Sequence, residues 1–138
     1  MKIRTYNPDT DYSHLRSMLL DKATYGGVID EDRDSEEKLK RLALTKPNCL
    51  LVAEKDEKLV GTVTVFEDGR ACWLYRFAYQ DKKIGRALWG HARMVAKELG
   101  HTQVLVYAPY DDSSFKELYN ELGFNTGNPY TAYWQNID

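Results

Sequence analysis

Apolar positions recur along the chain at two spacings, and the switches between them mark out the elements. "KIRTY" (Lys2–Tyr6) reads as a first strand, which "NPDTD" breaks. From Asp11 the apolar positions Tyr12, Leu15, Met18 and Leu19 fall at helical spacing, and "TYGGVIDEDRD" follows as a loop. Asp34 with Glu37 three residues on has the form of a capping box. It predicts a second helix through Leu39, Leu42 and Ala43, ending before Pro47. Three strands on short connections come next: Cys49–Glu54, Leu59–Glu67 and Ala71–Tyr75, an antiparallel meander. A long amphipathic helix from about Ile84 to Leu99, with Ile84, Leu88, Val95 and Leu99 on its apolar face, stops at Gly100. The strand Thr102–Ala108 is reached by that helical crossover, so it is predicted parallel to its predecessor. Asp112 or Ser113 can cap a last helix that turns Phe115, Leu118, Tyr119 and Leu122 inward and ends at Gly123. "NTGNPYTAYWQNI" suggests one or two closing strands. The order is βααβββαβαβ(β), a mixed α/β chain whose sheet is mostly antiparallel with one parallel crossover.

The 138 residues have the length of one ordinary domain, with no internal repeat and no linker to divide them. With 43% hydrophobic and 29% charged residues the composition is that of a globular protein. A net charge of −2 gives no bulk attraction for nucleic acid. No apolar run approaches the ~20 residues that span a bilayer, and "MKIRTYNPDTD" has no apolar segment of a signal peptide. Cys49 and Cys72 lie in apolar runs and are expected as reduced, buried thiols of a cytoplasmic protein. Two cysteines and three scattered histidines give no metal-ligand spacing.

The stretch "YQDKKIGRALWGHARMVAKELG" (Tyr79–Gly100) carries the chemistry. Lys82, Lys83 and Arg86 crowd a helix start, where the macrodipole already favours negative charge. An anion among them resolves the conflict. First-turn amides have no helical partner and point outward, and a glycine such as Gly85 lets backbone come close to a ligand. The stretch is neither a P-loop, since His91 stands where lysine is required, nor a GxGxxG turn. Alone, an ordinary solvated helix start accounts for it equally well.

With its neighbours the stretch resembles the Gcn5-related N-acetyltransferase (GNAT) superfamily. The pyrophosphate signature of that family, Arg/Gln-x-x-Gly-x-Gly/Ala, falls on "QDKKIG" (Gln80–Gly85). The preceding Leu-Ala-Val-x-Pro-x-Tyr strand falls on "WLYRFAY" (Trp73–Tyr79), and Leu-Tyr-x-x-x-Gly-Phe is matched in full by "LYNELGF" (Leu118–Phe124). Lys83 replaces the first glycine of the signature, Asp81 stands where glycine is common, and Asp112 and Phe115 stand where asparagine and alanine are frequent. These departures bear on coenzyme A affinity more than on fold.

The resemblance implies a GNAT-like fold over residues 1–138, with splayed fourth and fifth strands and about four helices. It implies acetyl-CoA as co-substrate, no metal, and an amine as acceptor. Backbone groups of Trp73 and Tyr75 would bond the pantetheine, and an amide near Tyr75 would polarise the thioester carbonyl. Gln80, Asp81, Lys82, Lys83, Ile84, Gly85 and Arg86 would hold the pyrophosphate, with Asp112 nearby. Tyr119 matches the general acid for the departing thiolate, and a tyrosine hydroxyl of pKa about 10 is protonated at neutral pH. No base stands out; Glu67, Asp68 and Glu54 are strand-end acids, and water alone can relay the proton. In the family, the first two helices and their loop cover the acceptor. That segment holds "DEDRDSEE" (Asp30–Glu37), six acids and one base, which suits a cationic acceptor such as a polyamine, an aminoglycoside or a lysine. A solvated loop and an acid-favouring helix start explain it more simply. Tyr25, Tyr107, Tyr110, Tyr130, Tyr133 and Trp134 offer material for an aromatic pocket. The acceptor is a small molecule or a peptide, and homodimers are common in the family. A non-catalytic acyl-CoA sensor is the competing reading; an unrelated nucleotide-binding domain is a third, opposed by the missing P-loop lysine.

Overall fold

The computed structural model describes residues 1–137. Its elements are β1 (Lys2–Thr5), α1 (Tyr12–Leu20), α2 (Glu36–Thr45), β2 (Leu50–Lys55), β3 (Lys58–Glu67), β4 (Cys72–Tyr79), α3 (Lys82–Glu98), β5 (Leu105–Val106) and α4 (Ser113–Glu121). The chain forms two compact units, Met1–Tyr107 and Ala108–Asp138.

The first unit is one five-stranded sheet in the order β1-β2-β3-β4-β5. Neighbours are antiparallel except β4 and β5, which run parallel as the helical crossover dictates. Tight turns set the registers. Asp56 and Glu57 both take positive φ (51° and 63°), the geometry of a two-residue hairpin between β2 and β3. Between β3 and β4 the Asp68 carboxylate accepts the Arg70 and Ala71 amides, and Gly69 supplies φ +85°.

Pairing of Val52 with Thr62 and of Ala53 with Gly61 puts these two pairs on opposite faces. On the first face α1 and α2 bury Leu15, Met18, Leu19, Leu39 and Ala43 against Tyr6, Leu50, Val52, Leu59 and Ala78. On the second lies α3. A Cβ at Gly61 would stand 2.8 Å from both Ile84 Cγ2 and Leu88 Cδ1, so the missing side chain is what lets α3 sit this close.

Several boundaries differ from the sequence expectation. The cap of α2 is Ser35, whose Oγ accepts the Lys38 amide, rather than Asp34, which is drawn into an ion pair described below. The buried stripe of α3 is Ile84, Leu88, Ala92 and Ala96; Val95 is half-buried and Leu99 is 45% exposed. Small alanines win the packed face because it lies against a sheet approached closely, a constraint that hydrophobicity alone does not encode. β4 runs on through Tyr79 past Tyr75, and β5 shrinks to two residues.

The second unit is α4 with its flanks. Asp112 caps the helix by accepting the Ser114 amide. At the other end Gly123 (φ +85°) donates to the Asn120 carbonyl, and Phe124 donates to that of Tyr119 at 2.9 Å. This is a Schellman stop, and it sets the Phe124 ring 5.5 Å from that of Tyr119. The Leu-Tyr-x-x-x-Gly-Phe spacing thus has a local reason: it brings the residue two past the cap back onto the helix. No strand forms among the described residues after Phe124, so the expected closing strands are absent there.

Candidate functional site

The middle of β4 departs from regular pairing. Thr62 faces Ala78 and Thr64 faces Tyr75, so Arg76 and Phe77 share the single opposite residue Val63. Arg76 takes φ +52° in this bulge, a left-handed conformation that costs a side-chain-bearing residue about 1–2 kcal/mol. Its side chain offsets the strain by meeting Asp34. Nε donates to Oδ1 at 3.0 Å, and Nη2 lies 2.7 Å from Oδ2. The Asp34 side chain is 4% exposed and that of Arg76 17%. Arg76 also lies over the Tyr75 ring, 5.2 Å from its centroid.

β5 accompanies β4 only at Trp73 and Leu74. Farther along, the chain after α1 takes over: the Tyr25 amide donates to the Tyr79 carbonyl at 2.8 Å, and the Tyr79 amide to that of Tyr25 at 3.0 Å. The β4–β5 ladder therefore stops just before the bulge, the beginning of the expected splay. Trp73 is held by the Tyr107 ring, with centroids 4.8 Å apart. Tyr75 is exposed on the α1–α2 face, opposite Thr64.

Directly after β4 the chain turns into α3. Gln80, Asp81, Lys83 and Arg86 are exposed, Lys82 is half-buried, and Ile84 and Gly85 are buried. The helix begins at Lys82, two residues earlier than expected. Asp81 is its cap, and Oδ1 accepts the Ile84 amide at 2.9 Å. The Gly85 amide makes the first helical bond, to the Asp81 carbonyl at 3.1 Å. Gly85 is therefore a residue of the helix's packed side, and the amides of Lys82 and Lys83 are those of the first turn.

In the second unit Asp112 begins α4, and Tyr119 lies in its last turn, 8% exposed between the rings of Phe115 and Phe124. Burial pushes its hydroxyl up to about 12.

A cavity of about 130 Å³ opens beside Tyr75 on the α1–α2 face. Its walls are leucines of α1, α2 and β2 together with Phe66; Thr62 and Thr64 line the sheet side, and Arg33, Asp34, Lys38 and Arg76 bring charge. Neither Tyr25 nor Tyr107 is among its walls, and both are exposed, as are Tyr110, Tyr130, Tyr133 and Trp134. The acids of the Asp30–Glu37 stretch are largely engaged locally: Glu31 with Arg16, Asp32 with Lys38, Glu37 with Arg41, and Asp30 with the amides of Asp32 and Arg33.

The strand-end acids are also engaged. Glu67 meets His101 Nε2 at 3.0 Å, the Gly69 amide at 2.7 Å and Lys46 at 3.4 Å. The His101 contact, reinforced by that amide, holds its carboxyl below the usual range. Asp68 is lowered further by the Ala71 amide and by Arg70. Glu54 meets Arg4 at 3.4 Å. Among the described residues, no group of three His, Cys, Asp or Glu is placed to hold a metal ion, and no helix is long and apolar enough to cross a membrane.

The model of the Acetyltransferase (GNAT) family matches residues 13–124. The chain belongs to this family. Solved structures agree in fold. PaiA N-acetyltransferase from Thermoplasma acidophilum, in complex with coenzyme A, is similar at 23% identity and TM-score 0.78, with 93% of this chain and 91% of that one covered. The aminoglycoside 6'-N-acetyltransferase of Acinetobacter haemolyticus aligns at 15% identity and TM-score 0.74 over 100% of both chains. An acetyltransferase from Streptococcus agalactiae 2603 aligns at 17% and 0.74 over 99% and 92%. No curated protein matches the chain in sequence. Membership accounts for the mixed sheet with one parallel pair, and it supports acetyl transfer in general, in a family that uses acetyl-CoA. The pair Asp34–Arg76 was out of reach of the sequence reading. Its partners lie 42 positions apart, and Asp34 already had a plausible local role as a cap.

Proposed function

We propose that this GNAT protein moves an acetyl group from acetyl-CoA to the nitrogen of a primary amine by direct attack. Residues 1–138 act as one catalytic domain in this reading, placed in the cytoplasm, and a homodimer is compatible with it. The observation that carries it is the break in β4: a bulge at Arg76–Phe77, a β5 ladder that ends at Leu74, and a cavity that opens at Tyr75. In this reading backbone groups of Trp73 and Tyr75 would bond a pantetheine arm around the point where the β5 ladder ends, with an amide at Tyr75 facing the thioester oxygen. The amine attacks the carbonyl carbon as the C–N bond forms and the C–S bond breaks. The amine proton leaves to water, and the thiolate takes a proton from Tyr119. Its buried hydroxyl keeps that proton at any physiological pH. Depressed Glu67 and Asp68 are poor proton acceptors, so holding amine and thioester together supplies much of the rate.

The pyrophosphate would be held by Gln80–Arg86, on first-turn amides and the charges of Lys82, Lys83 and Arg86, with Asp112 at the start of α4 as a further contact. Here one feature favours a second reading. The Asp81 carboxylate occupies the Ile84 amide, one of the donors a phosphate would use. A non-catalytic acyl-CoA sensor needs only weak binding and tolerates this. Calorimetric titration with acetyl-CoA followed by thiol release on a broad amine panel separates the two. Binding with turnover supports the transferase, binding without turnover on any amine supports the sensor, and no binding at millimolar ligand removes both.

A further inference from the structure

We infer that the acceptor is a small apolar amine that also carries a carboxylate, in the class of α-amino acids with aliphatic or aromatic side chains. The inference rests on the transferase reading above and deepens it. It comes from the walls of the cavity at Tyr75.

The Asp30–Glu37 stretch is the most acidic in this part of the chain, yet of its six acids only Asp34 lines the cavity. Asp34 is already engaged. Oδ1 takes Arg76 Nε, and Oδ2 takes both Arg76 Nη2 and the Asp30 amide, the last at 2.8 Å. Its charge is balanced by Arg76, which weakens its pull on an ammonium group. The other charged walls are Arg33, Lys38 and Arg76. Arg33 and Lys38 are the lining cations that Asp34 does not pair, and the carboxylates they meet, Asp30 and Asp32, are not among the walls. Their own partners are weak competitors. Arg33 lies 4.0 Å from Asp30, and Lys38 pairs with an Asp32 whose side chain is 81% exposed. Exposed pairs of this kind are worth about 0–1 kcal/mol, so a ligand anion can displace them.

The remaining walls ask for an apolar group. Leu15, Leu19, Leu39, Leu42, Leu50 and Phe66 line this cavity of about 130 Å³. An aliphatic side chain suits these walls; a polyamine or an aminoglycoside offers them no apolar group and brings further cations to Arg33 and Lys38. The apolar walls have a second effect. They disfavour an ammonium and so favour the neutral amine, the form that attacks. A site of this kind dispenses with a carboxylate base, in keeping with strand-end acids that are engaged elsewhere. The ligand carboxylate in turn balances Arg33 and Lys38.

The test measures acetyl-CoA-dependent thiol release with L-leucine, L-methionine and L-phenylalanine, with leucinamide and isoamylamine, which lack the carboxylate, and with spermidine and kanamycin. The amino acids should exceed leucinamide in kcat/KM by about tenfold to a hundredfold, the worth of one charge-assisted contact. Arg33→Gln with Lys38→Gln should erase that preference by raising KM for leucine, while coenzyme A affinity stays unchanged. Greater turnover of spermidine or kanamycin, or a leucine preference indifferent to the double substitution, would overturn the inference and leave N-acetyl transfer standing. Coenzyme A binding with no turnover of any amine would overturn both.

Discussion

Asp34 and Arg76 form a two-contact ion pair, at 3.0 and 2.7 Å, that ties the loop before α2 to the bulge in β4. It joins the segment over the cavity to the strand expected to face the thioester, and it sustains a left-handed arginine. Asp34→Ala would leave a largely buried guanidinium unpaired. The expected cost is about 3 kcal/mol, read from urea denaturation. Arg76→Lys keeps a charge but loses the fork, so it should recover less than half of that loss. If both substitutions prove neutral, the pair is not what holds the bulge.

Asp81 stabilises α3 and obstructs an anion with the same atom. Asp81→Asn keeps the cap and removes the charge, so acetyl-CoA affinity should rise several-fold by calorimetry with the melting temperature held. Asp81→Ala loses the cap as well and should cost about 1 kcal/mol of stability. Unchanged or weaker binding in the asparagine variant would place the pyrophosphate away from this helix start.

Tyr119→Phe should preserve acetyl-CoA affinity and lower kcat by about a hundredfold or more, if its hydroxyl protonates the thiolate. Because burial raises its pKa to about 12, ionisation of this group should not limit activity up to pH 10. The same shift bears on stability. A raised pKa gives a contribution intact below the ordinary value near 10 and lost as pH climbs through 12, so the wild type should melt progressively lower above pH 10. An unchanged kcat in the phenylalanine variant would remove the acid assignment.

Glu67 shifts the other way. His101 and the Gly69 amide favour its charged form, so its contribution is full above the ordinary carboxylate pKa and fades as pH falls through the lowered one. Glu67→Gln should therefore melt below the wild type at pH 7, and the gap should close toward pH 3. A gap independent of pH would mean that packing, not ionisation, is lost.

Gly61→Ala places a methyl group 2.8 Å from two side chains of α3, and such overpacking costs about 1–3 kcal/mol. Chemical denaturation would detect it. A neutral result would show that α3 can lift from the sheet without penalty.

The sequence by itself determined every element that local chemistry dictates. The parallel placing of β5 follows from a helical crossover, and the stop of α4 from Gly123 and Phe124. Such features are decided within a few residues, and residue types report on them. The tertiary structure alone decided the rest. Asp34 left its expected cap for an arginine 42 residues away, since a largely buried guanidinium needs a carboxylate more than an exposed helix end does. The acidic look of Asp30–Glu37 dissolved into local pairs, and of its acids only Asp34 lines the cavity beside Arg33 and Lys38, because the charge of a site depends on which side chains reach it. The packed face of α3 took Ala92 and Ala96 beside Ile84 and Leu88 while Leu99 stayed exposed, and Gly61, on β3, makes room for Ile84 and Leu88, a fit between distant segments that hydrophobicity alone does not encode.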